Sequence, residues 1–148
     1  MKLVVIDASV ALKWVLNDEE HVAEASALLL DQRAGLLELH APELLGYEFS
    51  NVLWVASRQG RITPANARAA IQLFRQLGIL YHPLADVWDD AVNLAFQYQR
   101  SVYDSAYVAL AQRLGVWLFT GDRRLHNALS PHLNCVRWIG DYQYESIP

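Results

Sequence analysis

The segment SVYDSAYVALAQRLGVWLFTGDRRL, residues 101–125, predicts a helix that is apolar on nearly every side, followed by a strand. Two aspartates interrupt this apolar segment: Asp104 at the start of the helix and Asp122 at the end of the strand. Burying a carboxylate costs stability unless the charge is paired or coordinates a metal. The positions of these two acids therefore point to a function.

The rest of the chain alternates between strand and helix patterns. The run KLVVID at 2–7 is continuous and rich in β-branched residues, as in strands buried on both faces. Further strands are predicted at 36–42, 79–84, 116–122 and 134–139, and helices at 9–16, 17–35, 42–60, 63–78, 85–100, 103–115 and 123–129. Such alternation is typical of a parallel sheet covered by helices on both faces. We therefore expect an α/β fold of three layers, α/β/α, with a mainly parallel central sheet, in a single domain spanning 1–148.

Several helix ends carry recognisable sequence signals. Asn17 or Asp18 is the predicted cap of the helix at 17–35, and Pro42 is predicted to lie in the first turn of the next helix. Thr63 is predicted to cap the following helix, with Pro64 at its first position. These signals define the expected boundaries between the elements.

Composition narrows the class of protein. Of the 148 residues, 53% are hydrophobic and 19% are charged, which is typical of a globular chain. The formal net charge of −4 weighs against a generic nucleic-acid binder, which is usually basic. The lone Cys135 argues against an intrachain disulfide and a cysteine zinc site, and no apolar run is long enough to span a membrane. With no signal-peptide pattern at the N-terminus, we expect a cytoplasmic protein.

Acidic residues lie where two of the predicted strands end. Asp7 and Asp122 each come at or just after the end of a strand, and ligands of parallel sheets bind at the carboxyl ends of the strands. Glu48 lies on a helix with little other polar surface, and Asn51 follows it by one turn. Together with Asp104, these acids are candidates for one shared site.

Each acid also has a purely structural explanation. Asp7 and Asp104 are suited to capping helices, Glu48 to a solvated helix position, and Asp122 to a turn. Four carboxylates gathered in one cleft would raise each other's pKa, an arrangement that proteins tolerate mainly where a cation binds. Oxygen ligands in this number suit Mg²⁺ or Mn²⁺, and such ions serve phosphoryl chemistry.

Four stretches of the chain stand out in order: VVIDASVALKW at 4–14, PELLGYEFSNVLW at 42–54, YDSAYVALAQRLG at 103–115 and LFTGDRRL at 118–125. In this order they resemble the PIN-domain ribonucleases and especially the VapC-type toxins of toxin–antitoxin pairs. The resemblance covers essentially the whole chain, and the ordered set of motifs is more specific than any one motif alone.

The resemblance assigns roles to the acidic residues. In that family an aspartate ends the first strand, a glutamate follows on a helix, and two later aspartates complete the site; the matching residues here are Asp7, Glu48, Asp104 and Asp122. It implies that the three aspartates bind Mg²⁺ or Mn²⁺, and that Glu48 binds a second ion or positions the attacking water. Polar side chains that would orient the carboxylates or the water are also implied, namely Ser9, Asn51 and Thr120.

The resemblance further implies a substrate and partners. The reaction would be hydrolysis of an RNA phosphodiester to 5′-phosphate and 3′-hydroxyl ends, with structured RNA such as tRNA or rRNA as the substrate. Arg123 and Arg124 are candidate contacts to the RNA backbone, and a solvated surface pair is the alternative. The family commonly forms homodimers and is held inactive by a small antitoxin protein, whose contacts we expect on 9–33 and 42–58.

Other functions match the residues less well. A receiver-like phosphoacceptor needs an adjacent acidic pair after the first strand and a lysine late in the chain, but no lysine follows Lys13. A dehalogenase-like phosphatase needs a second aspartate where Ser9 stands. A catalytically inactive PIN-like module that binds RNA or protein stays open as the alternative. Three tryptophans on predicted helices are interpreted as core residues rather than as stacking platforms for bases, with partial exposure of some of them expected: Trp14, Trp54 and Trp88.

Overall fold

The computed structural model describes every residue from Met1 to Pro148 and contains one five-stranded sheet. All neighbouring strands are parallel and lie in the order β3-β2-β1-β4-β5. The strands are β1 (Lys2–Ile6), β2 (Leu37–Pro42), β3 (Leu80–His82), β4 (Trp117–Thr120) and β5 (Val136–Trp138). The predicted parallel sheet is confirmed, and it contains no antiparallel strand.

Seven α-helices connect and cover the strands, which gives the predicted three-layer α/β/α arrangement. They are α1 (Ala8–Ala11), α2 (Val22–Arg33), α3 (Leu44–Arg58), α4 (Pro64–Arg75), α5 (Leu84–Tyr98), α6 (Val102–Leu114) and α7 (Arg123–Leu129). Short 3₁₀ turns follow α1 and β5, at Leu12–Trp14, Ile139–Asp141 and Tyr144–Ser146. No helix is both long and apolar enough to cross a membrane.

Helix α6 is the most buried helix of the fold. Seven consecutive residues, Ser105 to Ala111, are buried on every side. The helix packs against α5 on one side and against β1, β2 and β4 on the other, which explains why its sequence is apolar nearly all round. Its two ends reach solvent: the first turn, which carries Asp104, and the last turn, where Gln112 and Arg113 are exposed.

The start of α2 differs from the prediction. The helix begins at Val22, after His21 in a left-handed conformation with φ of 57°, and neither Asn17 nor Asp18 caps it. Instead, both carboxylate oxygens of Asp18 accept hydrogen bonds from Arg61, at 3.0 Å from Nε and 2.8 Å from Nη2. A bidentate ion pair with a distant arginine has replaced the local capping bond.

Two proline predictions had opposite outcomes. Pro42 is the last residue of β2 and pairs with His82 of β3, so the prediction that it lies in a helical first turn is wrong. A residue at the end of a strand tolerates the missing N–H of proline. Thr63 caps α4 as predicted, with its hydroxyl accepting from the Asn66 N–H at 3.1 Å and Pro64 at the first position.

The three tryptophans on predicted helices do not share one environment. Trp14 packs against the core, and its indole N–H donates to the carbonyl of Ala25 at 2.8 Å. Trp54 on α3 is 55% exposed and Trp88 on α5 is 56% exposed. The interpretation of Trp54 and Trp88 as core residues is therefore wrong.

Candidate active site

The sheet brings Asp7 and Asp122 to the same edge. Strands β1 and β4 are parallel neighbours, with Ile6 in register with Phe119. The chain therefore leaves both strands at their carboxyl ends, where ligands of such sheets bind. Asp7 follows β1 directly, and Asp122 follows β4 by two residues.

Asp7 is the most enclosed of the four acids, at 6% exposed. The hydroxyls of Ser9 and Thr120 donate to its two oxygens, and the Val10 N–H donates to it at 3.3 Å as the cap of α1. Burial raises the pKa of Asp7 to about 6, the hydrogen bonds oppose this shift, and the negative charge of Asp122 adds to it. Asp7 thus caps a helix and also lies in an electrostatically strained acidic site.

Asp122 caps α7 with one oxygen. Its Oδ1 accepts from the backbone N–H groups of Arg124 at 2.9 Å and Leu125 at 3.3 Å. Its own N–H donates to the Thr120 hydroxyl at 3.1 Å. The second oxygen, Oδ2, has no hydrogen-bond partner in the protein. One half of the carboxylate is therefore held in place while the other half is available to a ligand.

Asp104 lies in the first turn of α6 but does not cap it. Ser101 is the cap, and its hydroxyl accepts from the Asp104 N–H at 3.0 Å. Burial raises the pKa of the Asp104 carboxyl, the charge of Asp122 raises it further, and Arg100 opposes the shift. Arg100 Nη2 is 3.5 Å from Asp104 Oδ2, which is at the long limit of a hydrogen bond. The capping explanation for Asp104 is wrong.

Glu48 faces α6 from α3. The hydroxyl of Tyr107 donates to Glu48 Oε1 at 2.6 Å. Burial raises the pKa of Glu48, the bond from Tyr107 lowers it, and the charge of Asp104 raises it. Glu48 is half-buried and bonded to another element, so it is not a freely solvated helix residue.

The four acids, Asp7, Asp122, Asp104 and Glu48, form a series in which each carboxylate repels the next; we call this series the acidic chain. Asp7 is repelled by Asp122, Asp122 repels Asp104, and Asp104 repels Glu48. Arg100 is the single cation that pairs with any of them. As the side chains stand, no three histidine, cysteine or acidic groups are close enough together to form a ready metal cluster. The donor set, oxygen only and rich in negative charge, fits Mg²⁺ or Mn²⁺ in its chemistry.

The remaining predicted residues take different positions. Ser9 and Thr120 lie directly on Asp7, and Ser9 also accepts from the Gly121 N–H at 2.7 Å. Asn51 is exposed, and its side chain makes no hydrogen bond to any of the acids. Their functional roles stay predictions.

The two predicted RNA-contacting arginines also differ in their surroundings. Arg123 Nη2 is 3.1 Å from Glu20 Oε2, and its guanidinium lies 4.7 Å from the centre of the Trp138 ring. Arg124 is exposed and makes no ion pair. Arg123 is thus partly neutralised in the free protein, whereas Arg124 is open to a phosphate.

Tyr107 is the site residue that the sequence analysis missed. It lies three positions after Asp104, so the two side chains share one face of α6. That spacing was the available signal, but an aromatic residue in an apolar helix is ordinarily a core residue.

A model of the PIN domain matches residues 4–128. The chain belongs to the PIN-domain family. Ribonuclease VapC3 of Pyrobaculum aerophilum is 35% identical to it over 129 residues, which cover 84% of this chain and 92% of the relative. Ribonuclease VapC9 of Mycobacterium tuberculosis is 34% identical over 127 residues, which cover 83% of this chain and 88% of the relative. These relatives identify the chain as a VapC-type PIN ribonuclease.

Three solved structures share the fold. The structure of PAE2754 from Pyrobaculum aerophilum aligns with a TM-score of 0.66 at 22% identity, covering 93% of this chain and 91% of that chain. VapC20 of Mycobacterium tuberculosis, described as a sarcin-ricin loop cleaving toxin, aligns with a TM-score of 0.64 at 15% identity over 85% and 95% of the two chains. A toxin–antitoxin complex from Klebsiella pneumoniae aligns with a TM-score of 0.55 at 16% identity over 90% and 95%.

Proposed function

We propose that this PIN domain is a divalent-metal-dependent endoribonuclease and the toxin of a toxin–antitoxin pair. The observation that carries the proposal is the acidic chain at the carboxyl edge of the sheet, in which three of the four carboxyls have a raised pKa. Repulsion of this kind lowers the stability of the metal-free protein, and a bound cation relieves it. Because the relatives are named as ribonucleases, we propose that the reaction is RNA hydrolysis.

Some of the site side chains bind the ion, and others orient the carboxylates or the attacking water. Asp7, Asp104 and Asp122 hold the ion, and Glu48 binds a second ion or orients the attacking water. A bound Mg²⁺ or Mn²⁺ supplies a water of lowered pKa and neutralises charge on the phosphate. Ser9 and Thr120 occupy both oxygens of Asp7 with donated hydrogen bonds and so fix the direction of its carboxylate.

The substrate we propose is structured RNA, such as tRNA or rRNA, cut to leave 5′-phosphate and 3′-hydroxyl ends. Arg123 and Arg124 begin α7 directly after Asp122, so a phosphate bound by them lies beside the acidic chain. The sarcin-ricin loop named for VapC20 is a structured RNA, and that name supports the class of substrate.

The antitoxin has a candidate docking groove of about 1030 Å³. The groove runs between the turn after α1, helix α2 and helix α4, and its lining is mainly apolar, including Trp14, Leu73 and Phe74. Arg33 stands in its wall without an ion pair, and Arg61 stands there paired with Asp18. The groove overlaps the predicted contact region at 9–33 but uses α4 more than α3. A short amphipathic segment with acidic side chains would match it.

A homodimer is also part of the proposal. Apolar side chains on β3 and α5 are exposed next to one another in the chain, including Tyr81 at 40%, Leu84 at 48% and Trp88 at 56%. Exposed apolar patches of this kind mark interaction surfaces. Sedimentation of the purified protein tests this part separately from activity.

The competing function is a PIN scaffold that binds RNA or protein without cleaving it. The two functions differ in one experiment, in which purified protein is incubated with total cellular RNA in Mg²⁺, in Mn²⁺ or in EDTA. The proposal predicts discrete new fragments with a metal ion only, with 5′ ends that a phosphate-dependent exonuclease degrades. RNA that binds but stays intact in both Mg²⁺ and Mn²⁺ would establish the scaffold instead.

A further inference from the structure

The hydrogen bond between Tyr107 and Glu48 links the two helices that carry acids of the site. Tyr107 lies in the middle of the buried run of α6 and is 2% exposed. Its hydroxyl is 2.6 Å from Glu48 Oε1 on α3, 59 positions away in the chain. A buried phenol requires a hydrogen-bond partner, and Glu48 is its only one.

The bond constrains a side chain that is otherwise flexible. Glutamate has three rotatable side-chain bonds, and fixing such a chain in one conformation costs conformational entropy. Tyr107 is locked by packing on every side, so the oxygen that it binds is held at a fixed place. Glu48 Oε2 has no hydrogen-bond partner in the protein and stays available to a ligand.

Helix α6 also carries Asp104, three residues before Tyr107. The same rigid element therefore carries one acid directly and holds another through the phenol. The negative charge of Asp104 raises the pKa of Glu48, so the two carboxyls are close enough to repel each other. A shift of Glu48 away from Tyr107 would change its position relative to Asp104 as well.

We propose that Tyr107 is the positioning residue for Glu48, holding Oε1 so that Oε2 is presented to the ion or to the attacking water. This inference rests on the proposed ribonuclease function. The phenol acts as a fixed donor, because it is buried and Glu48 Oε1, at 2.6 Å, is its only hydrogen-bond partner. Supporting hydrogen bonds of this kind typically contribute 10–100-fold to metal affinity or activity.

A matched control exists elsewhere in the fold. Tyr142 is 8% exposed, and its hydroxyl donates to Asp31 Oδ2 at 2.7 Å, so it makes the same type of bond outside the acidic chain. Tyr107→Phe and Tyr142→Phe each remove one buried phenol–carboxylate bond and keep the ring. A purely structural role for Tyr107 predicts that the two variants behave alike.

The test uses the full chain and two readouts. Cleavage is measured in Mg²⁺ on a labelled RNA hairpin that contains the site mapped for wild type in total RNA, and Mn²⁺ binding to the metal-free protein is measured by calorimetry. Tyr107→Phe should lower kcat about 10–100-fold with little change in the KM for RNA, and it should weaken Mn²⁺ binding. Tyr142→Phe should leave kcat and Mn²⁺ affinity within about twofold of wild type, because Tyr142 shares no partner with the acidic chain and distant substitutions act independently.

A double mutant separates positioning from a general loss of structure. If Tyr107 acts through Glu48, adding Tyr107→Phe to Glu48→Gln should change kcat and Mn²⁺ affinity by less than about twofold, because the group being positioned is already altered. An equal loss in both backgrounds, or a Tyr107→Phe protein that cleaves and binds Mn²⁺ like Tyr142→Phe, overturns the inference and leaves the ribonuclease function intact. A wild-type protein that neither cleaves RNA nor binds Mn²⁺ overturns the proposed function itself, and the positioning role with it.

Discussion

Thr120 and Asp7 lie 113 positions apart in the chain, yet the Thr120 hydroxyl donates to Asp7 Oδ2. The parallel pairing of β1 with β4 makes this contact possible, because both strands end at the same edge. The same hydroxyl accepts from the Asp122 N–H at 3.1 Å. One threonine thus connects the two acids that follow the central strands.

Replacing Thr120 with valine tests this connection while keeping the shape of the side chain. The change removes a donor to a buried carboxylate and an acceptor for the Asp122 N–H, so we expect a loss of about 1–3 kcal/mol in unfolding free energy. We also expect RNA cleavage to fall about 10-fold or more. Thr63→Val is the control, since it removes the α4 cap and should cost about 1 kcal/mol without affecting cleavage. Equal activities for the two variants would refute the connection.

The raised pKa of Asp7 predicts how the stability of the metal-free protein depends on pH. The folded chain holds this proton more tightly than the unfolded chain, with a pKa of about 6 against 3.8. The stabilisation is therefore fully present below the ordinary pKa and is lost as the pH rises through about 6. Over that range wild type should lose about 3 kcal/mol relative to Asp7→Asn. Urea unfolding in EDTA from pH 4 to pH 7 measures the difference, and parallel curves for the two proteins would contradict it.

Much of this arrangement followed from local pattern. Continuous apolar runs that stop at an acid identified the ends of β1 and β4, and parallel sheets collect such ends at one edge. The juxtaposition of Asp7 with Asp122 was therefore predictable. The burial of α6 followed in the same way from its apolar residues, which leave no polar face.

Features that depend on distant partners were not predictable. The capping pattern at Asp18 was locally reasonable, but the carboxylate finds Arg61, 43 positions away, as a bidentate partner. The Tyr107 ring fits a core pattern, and only the three-dimensional structure shows that its hydroxyl donates to Glu48 on α3. Helical periodicity also does not show which apolar side chains of a helix remain exposed to solvent, and the exposed Trp88 on α5 is an example.

Arg123 and Arg124 are expected to bind RNA phosphates. Alanine at either position should raise the KM for RNA several-fold, and the slope of log affinity against log salt concentration should become shallower by about one for each arginine removed. Glu20→Gln should lower the KM by releasing Arg123 from its exposed ion pair. Arg68→Ala, an exposed arginine on α4, serves as the control. If all four variants share one KM and one salt slope, the two arginines are merely solvated.

The antitoxin groove can be tested with two leucines of equal exposure. Leu73 lines the groove and is 65% exposed, whereas Leu30 is 66% exposed and lies outside it. Leu73→Glu should abolish co-purification with a co-expressed cognate antitoxin, because a charge then faces the apolar segment, and the growth arrest that we expect on expressing this chain should persist. Leu30→Glu should still be captured and neutralised. The groove is the wrong surface if both variants bind the antitoxin equally well.

The four-carboxylate site itself is tested most directly by Asp104→Asn, since Ser101 caps α6 and the substitution leaves that cap in place. The measurement combines RNA cleavage with thermal melting in EDTA and in Mg²⁺. We predict that cleavage falls by orders of magnitude, because a ligand of the catalytic ion is lost. The metal-free variant should be more stable than wild type by about 1 kcal/mol, because the cost of burying the Asp104 charge and its repulsion by Asp122 are both removed. Mg²⁺ should then raise the melting temperature of wild type more than that of the variant. A variant that cleaves RNA normally and gains the same stabilisation from Mg²⁺ as wild type would contradict the site.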